Sequence, residues 1–212
     1  MDFFSEMLLT KRFKPFSTAV AGTYRIALPF KMRVLIIASA GGGGWGHQPS
    51  TTNSHSGAGM GGSGAGFRGE LVLPRGTLTV VVGAAGVCGF WASGQAGGDT
   101  SITFADGTQI LLGGGKGGSC WKGGGSGGAG GTASTTRSDC PAGSLINGTA
   151  SATGRSYCAG VTLFGEPSVL SDGSQTDENV GFAGASGKIY MDESNTYTRV
   201  PVAAGSFLIQ RI

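Results

Sequence analysis

Apolar residues along this chain fall into short runs, many with a period of two, set between glycine-rich stretches. From Gly22 to Pro29, Tyr24, Ile26 and Leu28 share one side and Thr23 and Arg25 the other. That alternation predicts a half-exposed strand. The next strand, Met32 to Ala38, contains the unbroken run Val34-Leu35-Ile36-Ile37, which predicts burial on both faces. Phe67 to Leu73 and Leu78 to Val82 predict two more strands, joined through the turn residues Pro74-Arg75-Gly76. Thr100 to Phe104 and Gln109 to Leu112 predict a hairpin around Asp106-Gly107. Shorter strands are expected near Thr162-Leu163-Phe164 and from Lys188 to Met191, and a terminal one from Ser206 to Gln210.

The first residues follow a different period. Phe3, Phe4, Met7 and Leu8 fall on one helical face, with Asp2 before them and Lys11, Arg12 and Lys14 after. Pro15 ends the segment. A helix of two turns does not persist alone, so residues 1–15 are read as an anchoring segment whose apolar face needs a partner.

Glycine supplies 43 of the 212 residues, mostly between Gly41 and Gly131. Such tracts ordinarily mark flexible linkers, but here one has a period of three. In Gly113–Gly131, Lys116, Ser119 and Lys122 are three apart, and after a shift of frame so are Ser126, Ala129 and Thr132. Three residues per turn is the period of a polyproline-II-type helix. Two bare faces per turn let backbones lie side by side, while the third carries a side chain at the surface. The fold class expected is all-β: a β-sandwich or jelly-roll-like body with packed polyglycine II helices over residues 16–212. Residues 133–200 read as an irregular Ser/Thr-rich extension.

Composition excludes several classes. A net charge of +3 with 13% charged residues does not make a nucleic-acid surface. No run approaches the roughly 20 apolar residues of a membrane span. The N-terminus has its basic residues after the apolar ones, so synthesis in a cytoplasm without a secretory leader is expected. Cys88, Cys120, Cys140 and Cys158 lack metal-ligand spacing, and either free thiols or disulfides fit them. No metal or cofactor is expected. Gly41-Gly42-Gly43-Gly44-Trp45-Gly46 satisfies the dinucleotide pattern, yet His47-Gln48-Pro49 follows where a helix would be needed. Gly124-Gly125-Ser126-Gly127-Gly128 matches a nucleophile elbow but lies in a glycine tract without strand or helix. No catalytic residues are assigned, and no enzyme is expected. Trp45, Trp91 and Trp121 each border a glycine tract. They are either fillers between packed segments or exposed loop aromatics able to stack on sugars or enter protein grooves.

The order of segments resembles the glycine-rich domains of bacteriophage tail-fibre and receptor-binding proteins. The matching stretches are Val34 to Gly44, Gly64-Ala65-Gly66-Phe67, Val82-Gly83-Ala84-Ala85-Gly86 and Gly97-Gly98-Asp99-Thr100-Ser101, within roughly residues 16–132. A related domain occurs in animal receptor tyrosine kinases. The resemblance implies a virion structural protein, a tail fibre or tip adhesin whose polyglycine helices display loops to a bacterial surface receptor, protein or glycan. It implies other tail proteins as partners through Phe3, Phe4, Met7 and Leu8, and a homo-oligomer, a trimer being one form. Receptor contacts are expected from Trp45, His47, His55, Trp91, Trp121 and Lys122. The alternatives are an architectural subunit without receptor contact (baseplate, collar or head decoration) and a non-viral polyglycine ice-binding protein.

Overall fold

A computed structural model describes residues 13–48, 57–90, 92–120, 125–151, 188–191, 197–200 and 202–212. The segment with Phe3, Phe4, Met7 and Leu8 and the strand expected at Thr162-Leu163-Phe164 lie outside them. Among the described residues there is no helix, and the fold is all-β. Its strands are β1 (Phe16–Thr18), β2 (Gly22–Leu28), β3 (Met32–Ser39), β4 (Gly46–Gln48), β5 (Gly57–Gly59), β6 (Gly66–Leu73), β7 (Gly76–Val82) and β8 (Gly89–Phe90). Then come β9 (Thr100–Thr103), β10 (Gln109–Leu112), β11 (Ala133–Thr135), β12 (Leu145–Ile146), β13 (Lys188–Met191), β14 (Tyr197–Val200) and β15 (Ser206–Arg211).

Two five-stranded antiparallel sheets form a sandwich, one ordered β1-β15-β3-β6-β12, the other β11-β10-β9-β7-β2. The period-two residues of both sheets meet in one core: Val34, Ile36, Phe67 and Phe207 from the first, Leu78, Val80, Ile102 and Ile110 from the second. β3 departs from its expectation of burial on both faces. Met32, Val34, Ile36 and Ala38 are buried, Arg33 is exposed, and Leu35 and Ile37 are half-buried on the outer face. That face looks to solvent, and the long side chains of Glu70, Gln210 and Arg68 beside them in register give partial cover.

The hairpin of β9 and β10 turns through Gly107, whose φ of 81° needs a residue without Cβ. The side chain and backbone N–H of Thr108 donate to Asp106 Oδ1 at 2.6 and 2.9 Å. The Arg137 guanidinium, with a side chain only 6% exposed, sits 4.2 Å over the Phe104 ring and donates to Asp139 and Thr108. It ties the segment after β11 to this turn.

At the opposite end of the sandwich, eight strands run into glycine-rich segments. Residues 40–45 (g1) leave β3, 60–65 (g2) enter β6, 83–88 (g3) leave β7, and 93–99 (g4) enter β9. Residues 113–120 (g5) leave β10, 125–132 (g6) enter β11, 147–151 (g7) leave β12, and 202–205 (g8) enter β15. Backbone hydrogen bonds join them at every third residue. Gly113, Lys116 and Ser119 of g5 donate to Thr132, Ala129 and Ser126 of g6 at 2.8–3.0 Å. Gly94 and Gly97 of g4 donate to Gly118 and Gly115, while Gln95 and Gly98 donate to Val87 and Ala84 of g3. These bonds give a row g6-g5-g4-g3, which repeats the strand order β11-β10-β9-β7. Ala40 and Gly43 donate to Ala65 and Gly62, Ser63 to Thr149, and Gly42 to Ala203. That gives a second row g8-g1-g2-g7, matching β15-β3-β6-β12.

The rows also bond to each other. Gly41 and Gly44 donate to Gly98 and Gln95, and their carbonyls accept from Gly115 and Gly118. Segment g1 thus has backbone bonds to g2, g3, g4, g5 and g8. Side chains point out of the bundle as the three-residue spacing predicts: Ser126, Ala129 and Thr132 are exposed, while Gly125, Gly128 and Gly131 are buried.

Two expected outcomes follow from these contacts. A Cβ at Gly43 would fall on the carbonyl of Lys116, and one at Gly115 on the carbonyl of Gly62. Gly43→Ala or Gly115→Ala therefore lowers stability by about 3 kcal/mol, the upper range for overpacking, whereas Ala129→Gly on the outward face changes it by less than about 1 kcal/mol in urea denaturation. At the other end, the Thr108 side-chain hydrogen bond, then its backbone N–H and the Arg137 charge, hold Asp106 below its ordinary 3.8. A depressed carboxylate stabilises the fold above that value, and the contribution is lost as pH falls through the folded pKa. Melting temperatures of wild type and Asp106→Asn should differ at about pH 6 and converge near about pH 2.

Candidate functional site

The passage from sheet to polyglycine is held by buried hydroxyls. Thr100 Oγ1 accepts the Gly83 N–H at 3.0 Å and donates to the Ser39 carbonyl at 2.9 Å. Ser39 and Ser206 join their hydroxyls at 3.0 Å, and the Ser206 N–H donates to Ser39 Oγ. All three residues are fully buried. Beside them Asp99 Oδ1 accepts the Gly114 N–H at 2.8 Å, and Asn147 Oδ1 accepts that of Ala133. Unpaired buried backbone groups are expensive. These side chains satisfy them where ladder bonding gives way to the three-residue pattern. The sequence showed the Gly-Gly-Asp-Thr-Ser step without disclosing this role. A polar triplet at a strand start after a glycine pair was the available signal.

Chain direction sets what lies at the far end. Segments g1, g3 and g5 run away from the sandwich, and g2, g4 and g6 return to it. The described ends of three connections therefore meet at the distal pole: Gly46 with Gly59, Gly89 with Ala92, and Cys120 with Gly125. Their bases are bonded to one another. β4 pairs with β5 antiparallel, Gly46 opposite Gly59, and with β8 in parallel at Gly89. The Gly89 N–H donates to the Trp45 carbonyl, and the Cys120 N–H to Ser93 Oγ at 3.2 Å. Each connection carries or borders a tryptophan (Trp45, Trp91, Trp121). The described ends of these three connections thus share one hydrogen-bonded base, and a further connection, residues 152–201, leads from g7 to g8.

The candidate residues divide accordingly. His47 lies in β4, opposite Ala58. His55, Trp91, Trp121 and Lys122 lie outside the described residues, though their loops begin and end at this pole. Trp45 is 3% exposed, so its ring is closed off from an external ligand. Of the two readings of Trp45, the filler is the one the fold realises. It and the buried Met60 stand at the distal ends of g1 and g2, where glycine no longer fills the space. Among the described residues no group of His, Cys, Asp or Glu is arranged to hold a metal ion.

Burial of Trp45 gives a direct test. Trp45→Ala should lose about 3 kcal/mol or more of stability, as for other buried aromatic truncations. An unchanged denaturation midpoint would place the ring at the surface.

No curated protein matches this chain. A family model described as a glycine-rich domain matches residues 18–206. That span holds most of the sandwich and all eight segments of the bundle, and the chain belongs to this glycine-rich domain family.

Proposed function

We propose that this chain is a phage virion structural protein, a tail-fibre or tip adhesin that contacts a host cell-surface receptor through its distal loops. The observation carrying this reading is the gathering of the ends of three connections at one pole of a backbone-bonded bundle. Residue 13 enters at the other pole, since β1 runs from Phe16 toward the bundle, Thr18 lying opposite Phe207. An anchoring segment in residues 1–15 and a receptor surface in the loops would then stand at opposite ends. Loops held at both ends by fixed backbone lose little freedom on binding, which favours affinity. Loops also accept sequence change without loss of the scaffold, which suits a surface that must follow a changing receptor.

Purified protein should compete with virions for adsorption to host cells. Replacing residues 49–56 by a Gly/Ser linker, and separately Trp91→Ala and Trp121→Ala, should leave the melting temperature within a few degrees. At least one of these changes should abolish competition. A folded wild-type protein that never competes, or three folded variants that all do, would leave an architectural subunit without receptor contact.

A further inference from the structure

Charge is unevenly placed along the long axis. Within segments g1 to g8, Asp99 and Lys116 are the charged residues. Among the described residues the ion pairs are Arg33–Glu70, Arg137–Asp106 and Arg137–Asp139. Lys14, Lys31, Arg75 and Arg211 enter none of these pairs, and all four are exposed. The topology gathers them. Leu28 lies opposite Gly76 and Met32 opposite Leu73, so the turn with Phe30-Lys31 and the turn with Pro74-Arg75 cross between the sheets side by side. Arg211 ends β15 with its guanidinium 5.4 Å from the Phe30 ring. Phe16 lies opposite Ile209, which sets Lys14 on the line leading to Arg211. Phe13 and Phe30 are half-buried against the core, and Ile212 is 49% exposed.

We propose that this proximal pole docks on an acidic protein face with an apolar centre, Lys14, Lys31, Arg75 and Arg211 surrounding Phe13 and Phe30. The acids described at this end, Glu70, Asp106 and Asp139, are paired with Arg33 or Arg137, which leaves the four other cations for complementary carboxylates, and such complementarity selects partner and orientation. Aromatic and arginine side chains side by side are the composition of protein interfaces. Four cations around an apolar floor are fewer than the roughly 6–10 phosphate contacts of a nucleic-acid binder. The aromatics lie back against the core instead of projecting as a membrane wedge would need. The inference rests on the anchoring half of the proposed function. Its test uses no cells, so failure of receptor binding leaves it standing.

The full chain would be titrated by fluorescence anisotropy with labelled probes at low salt: a random Glu/Tyr copolymer, poly-Glu, a short DNA duplex and phosphatidylglycerol vesicles. The Glu/Tyr copolymer should bind tightest. The triple variant Lys31→Glu/Arg75→Glu/Arg211→Glu should weaken it about tenfold or more, with Lys116→Glu unchanged. If the triple variant melts early, Lys31→Gln/Arg75→Gln/Arg211→Gln takes its place. Equal binding by a folded triple variant overturns the proposal. So does tighter binding of DNA or vesicles, which would make the pole a polyanion or lipid surface.

Discussion

The bond that everything else depends on is the backbone N–H to carbonyl contact between neighbouring polyglycine segments. It recurs at every third residue, with Gly43 bonded to Gly62 and Gly44 to Gln95 one residue later. In the sandwich, two sheets stand about 10 Å apart because side chains fill the space between them. In the bundle that layer is gone, and the rows continuing the two sheets bond directly. Strand order passes unchanged into segment order, since neighbours already paired in the sheets stay neighbours beyond them. Ser39, Thr100 and Ser206 stand where one spacing gives way to the other.

Ordering glycine is costly, on the order of 1–2 kcal/mol of backbone entropy per residue. A net hydrogen bond returns about 1 kcal/mol, and the buried glycines add no apolar side chains. The bundle is therefore not a self-sufficient folding unit. Its stability is borrowed from the sandwich core, where Phe67, Phe207, Ile36 and Ile110 are fully buried. Fixing eight segment starts at one edge of that core restricts the segments before any of their own bonds form. Trp45 and Met60 add an apolar plug at the far end of the inner row.

Much of this was legible in the residues. Alternation gave β2, short apolar runs gave β6, β7 and β15 to within two residues, and Asp106-Gly107 gave the hairpin turn, because each signal is local. The spacing of Ser126, Ala129 and Thr132 announced which face of g6 meets solvent. Other features depend on distant partners. Leu35 and Ile37 read as doubly buried because nothing in their own run discloses that the outer face is open. Strands as short as β1 and β12 carry too few residues to show a period. The burial of Trp45 depends on segments far away in sequence, as does the meeting of the loop ends. The loops follow from the alternating direction of the segments, which becomes visible once the pairing is known.

The closed bases of those loops have a further consequence. Gly46 faces Gly59 across β4 and β5, and the Ser119 N–H reaches the Ser126 carbonyl, so each excursion leaves and rejoins the bundle at a fixed gate. Length added beyond a gate shifts no register below it. The entropy of closing a loop grows only slowly, by about 0.6 kcal/mol for each doubling. The described stems therefore behave as sockets: what is inserted between one pair of ends leaves the packing of the other stems as it is. A scaffold of this kind invites grafting, and natural insertions would accumulate there sooner than anywhere along the bundle.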